Sequence, residues 1–562
     1  MTKRLKWPVD DEHALDRRDF LCQASQAGGI AASLLFGGPG AAPVSAAEAA
    51  QPIVETSAGK IRGAASDGVC VFKGIPYGAS TAGQNRFMPP QKPEAWAGVR
   101  DALQLAGHAP QAPAAPRRPE LADFSGPPDT IPVGEDCLTL HVWTPALDNA
   151  RRPVMVWFHG GAFSYGSANG PRLDSANLAR RGDVVVVTVN HRLNIFGHLY
   201  LAELGGERFA RSGNAGVLDL IASLEWVRDN IARFGGDPGQ VTIFGQSGGG
   251  GKVSVLLAMP AARGLFHRAI VMSGAGIRMV EPERATRLAE AVLKELGLGR
   301  DRVAELQTLP MERLQAAVVP AQRTLPPSPH PLLDRYNFGP VVDGRDLPAH
   351  PFDPKAPDLS DDIPVMVGGT KDENSIFMTT DDAVWNRTLS EAELRTRVAR
   401  IAGDRTDQVL EIYARLYPEA NPAERLIAIT TDSGFTIRSI LLAERKQAKE
   451  RAPVYMYEFA WDTPILGGKL KSPHALDVPF VFETIDAVGA TDKGPQAHAL
   501  ADRMSAAWVA FARNGKPEHS ALPPWPAYTA QNRATMLFGN ACEVRNDPLR
   551  EQRLLWSGIA QA

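Results

Sequence analysis

The sequence predicts an α/β fold with a central, mostly parallel, twisted sheet flanked by helices, and three observations predict it. Short β-branched and aromatic runs end in glycine turns at two places: 154–158 runs into His159-Gly160-Gly161, and 241–244 runs into Gly245-Gln246-Ser247. Two further runs, 184–189 and 269–272, are apolar apart from Thr188, the pattern of parallel strands covered on both faces. After Ser273 the period changes, and Ala285, Leu288, Ala289, Val292, Leu293 and Leu296 fall on one helical face that stops at Gly297.

Composition narrows the class. The chain has 562 residues, 44% hydrophobic and 22% charged, enough to bury an extensive core. A formal charge of −3 without a basic block gives no support for nucleic-acid binding. The four cysteines, Cys22, Cys70, Cys137 and Cys542, form neither a disulfide framework nor a metal-ligand spacing, so buried free thiols are expected.

The N-terminus reads as an address. Arg17-Arg18-Asp19-Phe20-Leu21 precedes a small, apolar run at 27–36 and a Val44-Ser45-Ala46 cleavage-type site. Residues 1–46 are therefore expected to be a cleaved twin-arginine export signal, placing the protein in the periplasm or outside the cell. The apolar run is too short to span a bilayer, and no membrane-spanning segment is expected in the mature chain.

Two glycine turns carry the chemistry. In Gly245-Gln246-Ser247-Gly248-Gly249 a serine stands at a strand-to-helix corner, where small neighbours let backbone approach and expose the hydroxyl. In His159-Gly160-Gly161-Ala162 small residues leave backbone N–H groups unobstructed. Donors of that kind stabilise an oxygen that becomes anionic when a hydroxyl adds to a carbonyl, by roughly 3–4 kcal/mol each. Gly161, Ala162 and Gly248 are the candidate donors, and Ser247 the candidate nucleophile. A serine hydroxyl also needs a base, oriented by a carboxylate.

These turns belong to an ordered set: Phe72-Lys73-Gly74-Ile75-Pro76-Tyr77, Arg86-Phe87, Glu135-Asp136-Cys137-Leu138, the His159 turn, Asn190-His191-Arg192-Leu193, Gly213 through Asp219, the Ser247 turn, Lys371-Asp372-Glu373 and His474. With them the chain resembles the type-B carboxylesterases of the α/β-hydrolase superfamily. Trp508 to Pro517, followed by Trp525-Pro526, resembles that family's closing segment. The resemblance implies the order serine, acid, histidine. It leaves His267, His330, His350, His474, His498 and His519 as possible bases. His474, in the polar loop Lys471-Ser472-Pro473-His474 with Asp477 three residues on, stands at the family's position. His267 sits where the family enters its next strand, and a packing role is expected for it.

Asp372 and Glu373 both follow the strand-like stretch at 363–369, and adjacent residues there point in different directions. The family commonly uses glutamate at this place. Glu373 is the candidate acid, and Asp372 is expected to brace the loop. Arg86 with Glu135 and Arg192 with Asp219 occupy positions that form internal ion pairs in the family.

The implied activity is a serine carboxylic-ester hydrolase working through an acyl-enzyme on small or medium uncharged esters, with neither metal nor organic cofactor. Alternatives are a lipase, a specialised natural-ester or carbamate hydrolase, or a non-catalytic cholinesterase-like binding protein. Two departures from the family pattern stand out: Gln246-Ser247-Gly248 replaces the Glu-Ser-Ala of many members, and the cysteine that animal members pair with Cys137 is missing between 71 and 136. Only a Cys70–Cys137 pair would remain. Residues 47–562 are expected to form one catalytic domain with helical insertions near 280–325 and 385–450. The insertion helix at 285–296 and a helical-looking stretch from 390 to 417 are together expected to roof the site, and the Pro-rich segment 110–132 to lie as an irregular loop near its entrance.

Overall fold

The computed structural model describes residues 51–112, 118–127, 129–326 and 338–560; the expected export signal lies outside them. Among the described residues, fourteen strands follow in chain order. They are β1 (Ile53–Glu55), β2 (Lys60–Arg62), β3 (Ala64–Ser66), β4 (Val69–Pro76), β5 (Val99–Asp101), β6 (Thr139–Thr144) and β7 (Arg152–Phe158). Then come β8 (Val185–Val189), β9 (Gly236–Gln246), β10 (Arg268–Met272), β11 (Val365–Thr370), β12 (Val454–Phe459), β13 (Ala534–Phe538) and β14 (Glu543–Asn546).

Eleven of them form one sheet in the order β14-β13-β12-β11-β10-β9-β7-β8-β6-β4-β3. The run from β13 to β8 is parallel, and antiparallel strands flank it at both ends. Strands β1, β2 and β5 make a separate three-stranded sheet.

The continuous apolar runs have their expected cause. In β7, Val154, Val156 and Phe158 pack into the core on one face of the sheet, while Met155 and Trp157 pack into the core on the other. Such a strand has no solvated face to alternate with. Register then fixes the site: Phe158 pairs with Gly245, Gln246 with Met272, and Met272 with Gly368. The carboxyl ends of β7, β9, β10 and β11 therefore meet at one edge, where open parallel sheets bind ligands.

The helices show where sequence periodicity runs out. Pro282–Glu295 buries Ala285, Leu288, Ala289, Val292 and Leu293, and Gly297 ends that segment at φ 70°. The stretch at 390–417 is two helices, Glu391–Ala402 and Thr406–Leu416. Gly403, at φ 56°, breaks it between them. Ser390 and Glu393 form a reciprocal cap at its start, satisfying backbone donors that a helix leaves unpaired. A longer helix, Pro422–Gln447, follows, with a π-turn at Asp432–Thr436. By length and composition it is apolar enough to cross a membrane, yet 61% of its most apolar window is buried inside the protein. It contributes Gly434, Phe435 and Arg438 to the cavity described below.

Two ion pairs tie outlying loops to this frame. Arg192 grips Asp219 through Nε and Nη2 at 2.8 and 2.6 Å, with both side chains essentially without solvent. Arg86 makes a similar two-pronged contact with Glu135, Nε to Oε2 at 2.7 Å, and donates to the carbonyls of Leu306 and Leu309. Cys70, Cys137 and Cys542 are free thiols, but only Cys137 is fully buried. Cys70 sits toward the outer edge of the sheet, on β4 opposite Thr144, and keeps partial exposure.

Candidate active site

Ser247 stands between β9 and the helix Gly248–Leu256 at φ 60° and ψ −125°, a conformation that costs energy unless its surroundings impose it. Two bonds impose it: the Ser247 N–H donates to the Met272 carbonyl at 2.8 Å, and the Gly251 N–H donates to the Ser247 carbonyl at 3.1 Å. The corner has no room for side chains beside the serine. A Cβ on Gly249 would lie 2.0 Å from the Phe158 oxygen. Ser247 itself is half-buried and lines a cavity of about 250 Å³.

His474 lines the same cavity. Its Nδ1 makes a short hydrogen bond with Glu373 Oε2, and the other carboxylate oxygen of Glu373 accepts the Thr370 N–H at 2.9 Å. A carboxylate on Nδ1 selects the tautomer that carries its proton there and leaves Nε2 as an acceptor. Asp372 turns away from the imidazole. Its carboxylate accepts the Ser472 N–H at 3.2 Å, and its own N–H donates to the Ser472 carbonyl at 2.9 Å. The first acid thus latches the loop that carries the histidine, and the second orients the ring.

The imidazole is packed as well as bonded. Phe377 and Phe435 lie 4.9 and 5.2 Å from its centroid. The Gln246 side-chain nitrogen approaches both ring nitrogens, at 3.2 and 3.4 Å. Near-equal distances place that amide against the ring, off either lone-pair direction. Behind it, Asp477 accepts a 3.0 Å bond from the Tyr457 hydroxyl. Burial, followed by the charge of Glu373, pushes the Asp477 carboxyl up to about 7.

Gly161, Ala162 and Gly248 also line the cavity. Gly248 opens its helix, so its N–H is one of those without an intrahelical partner. Gly161 and Ala162 hold positive φ, 88° and 55°, in a turn closed by the Ser164 and Tyr165 N–H groups on the Gly161 carbonyl. From below, Lys252 Nζ donates to the His159 carbonyl at 2.8 Å. Burial lowers the His159 and His191 imidazoles well below their usual range, so this stacked pair, with centroids 5.0 Å apart, is neutral. His267 lies away from the cavity lining: its Nδ1 accepts the Val241 N–H at 3.2 Å and its backbone N–H donates to the Val241 carbonyl, stitching β10 to β9.

Lys252, Phe377, Phe435 and the cavity arginines were not singled out by motif reading. Lys252 left one signal, a lysine set among glycine, valine and leucine immediately after the serine turn.

Residues 50–556 match the model of the carboxylesterase family. The chain belongs to that family. It is 36% identical over 505 residues to the para-nitrobenzyl esterase of Bacillus subtilis, covering 89% of this chain and 97% of that protein. It is 33% identical to the phenmedipham hydrolase of Pseudarthrobacter oxydans, over 89% of this chain and 98% of that one. Among solved structures, a carboxylesterase of Geobacillus stearothermophilus superimposes with a TM-score of 0.77 at 38% identity, covering 90% of this chain and 99% of that chain. This carboxylesterase therefore has the α/β-hydrolase fold and is a serine carboxylic-ester hydrolase.

Proposed function

We propose that Ser247 is the nucleophile of this hydrolase, His474 its general base and acid, and Glu373 the carboxylate that orients the imidazole. His474 Nε2 takes the Ser247 proton as Oγ attacks the ester carbonyl, and the N–H groups of Gly161, Ala162 and Gly248 receive the oxyanion. His474 then passes the proton to the leaving alcohol. A water molecule, deprotonated by the same imidazole, attacks the acyl-enzyme, and the acid product departs as Ser247 recovers its proton. Glu373 stabilises the imidazolium in both halves. The observation that carries this reading is the Glu373–His474 bond in the cavity that Ser247 lines.

A cavity of about 250 Å³ suits esters of small or medium size. Turnover of para-nitrophenyl esters of rising acyl length by the purified protein tests the reading. We expect activity to fall once the acyl chain outgrows the cavity, and Ser247→Ala to abolish turnover with an unchanged thermal unfolding profile. Retained hydrolysis in that variant would remove Ser247 from the mechanism.

The export reading also stands as a proposal, supported by the arginine pair and the apolar run that follows it. N-terminal sequencing of the protein from a periplasmic fraction should give a mature chain starting near residue 47. An intact start in the cytoplasm alone would overturn it.

A further inference from the structure

The π-turn Asp432–Thr436 interrupts the helix Pro422–Gln447 where that helix meets the active site. Such turns are rare, and within α-helices they gather at functional sites. This one touches both members of the acid–base pair. At its start, the Thr431 hydroxyl oxygen accepts the N–H of Asn374 at 3.2 Å, and Asn374 follows Glu373 in the same short turn. Farther along, the Phe435 ring lies 5.2 Å from the His474 imidazole and forms part of the cavity wall.

A buried polar chain holds the turn in place. Asp432 is an acid inside a helix with its side chain shielded from solvent, a position that costs free energy unless its oxygens are bonded. Oδ2 accepts the Tyr413 hydroxyl at 2.6 Å, and Thr436 supplies a second hydroxyl. The Tyr413 oxygen in turn accepts the Trp556 Nε1–H at 2.8 Å. Tyr413 comes from the helix Thr406–Leu416 and Trp556 from the carboxyl-terminal helix Arg550–Ala560, and both are buried. Apolar side chains of the same shape would join these three helices about as stably. What a fully bonded chain adds is a single arrangement of the groups it connects.

We propose that Asp432, Tyr413 and Trp556 are positioning residues for the reaction: they fix the π-turn, and through it the Glu373–His474 pair, so that turnover depends on the docked carboxyl-terminal helix. None of the three is among the cavity's lining residues; they act through Phe435 and Thr431. The proposal rests on the catalytic assignment above.

Tyr413→Phe deletes one hydroxyl and keeps the ring. Turnover of para-nitrophenyl butyrate is measured per folded molecule, with the folded fraction taken from thermal unfolding, so that lost stability alone leaves the rate unchanged. We expect kcat to fall by about tenfold and KM to change by less than about twofold, because small misplacements of catalytic groups are amplified in rate. Trp556→Phe, at the far end of the chain, should lower kcat in the same direction and serves where Tyr413→Phe does not fold. Asp432→Asn keeps an oxygen for the Tyr413 hydroxyl and should retain most of the rate that Asp432→Leu loses. In a double-mutant cycle of either aromatic variant with Phe435→Leu, the combined loss in kcat should fall short of the product of the single losses. Losses that multiply, an Asp432→Asn no faster than Asp432→Leu, or wild-type kcat in the folded aromatic variants would overturn the proposal, and an inactive Ser247→Ala beside them would leave the catalytic assignment standing. Turnover retained in Ser247→Ala would overturn that assignment itself.

Discussion

Lys252 Nζ donates to the carbonyl oxygen of His159 across 2.8 Å, joining the helix that follows Ser247 to the turn that carries the candidate oxyanion donors. The side chain has no solvent contact, and burial pushes its ammonium down to about 7. An unfolded lysine titrates near 10.4. Below about pH 7 both states hold the proton, and the folded state bears the whole penalty of the buried charge. Between about 7 and 10 the unfolded chain binds more protons, so this lysine makes stability rise with pH.

That sign gives the first prediction. Urea unfolding of the wild type and of Lys252→Met, followed from pH 7 to pH 9.5, should show the wild type gaining on the variant as pH increases. Parallel profiles would mean that Lys252 keeps an ordinary ammonium.

The two neighbouring acids differ in what they hold. Glu373→Gln leaves an amide on His474 Nδ1 and favours the wrong tautomer, so kcat should fall by about 10⁴. Asp372→Asn retains an oxygen for the Ser472 N–H and should cost a few-fold. The comparison of kcat values checks both, and a crippled Asp372→Asn beside an active Glu373→Gln would reverse the assignment.

Gly249 tests the corner itself. A methyl there would meet backbone at the end of β7, 2.0 Å from the Phe158 oxygen, and neither strand end can move without disturbing the sheet. Gly249→Ala should lower kcat by at least about tenfold through displacement of Ser247 and the His159 turn. Steady-state kinetics with wild-type values would show that the corner yields.

Asp219 tests the frame. Removing it by Asp219→Ala strands Arg192, a buried guanidinium, and breaking such a pair costs about 3–5 kcal/mol. A urea midpoint unchanged from the wild type would contradict this.

Sequence and structure part company for identifiable reasons. The ends of β7 and β9 were legible because Gly160, Gly161 and Gly245 punctuate continuous apolar runs, and His474 and Glu373 were legible through family spacing. Residues alone left Asp372 and Glu373 equivalent, since only the turn after β11 decides which one faces the imidazole. The Pro422–Gln447 helix lies within the helical insertion expected near 385–450, but its bounds were not legible because Asp432 and Gly434 interrupt its apolar pattern at the π-turn. Lys252 was hidden for the opposite reason: a lysine in a glycine run reads as solvated, and only the packed helix shows otherwise. The rest of the cavity wall was not legible, because Arg172, Arg278, Phe377 and Arg438 converge from segments far apart in the chain.

The role proposed for Ser247 meets its sharpest test when the purified protein is treated with an organophosphate, residual para-nitrophenyl ester turnover is measured and the adduct is mapped by mass spectrometry. One adduct per chain, on Ser247, with loss of turnover in proportion to labelling, is the predicted result. Turnover that survives complete Ser247 labelling, or an inactivating adduct on another residue, would contradict it.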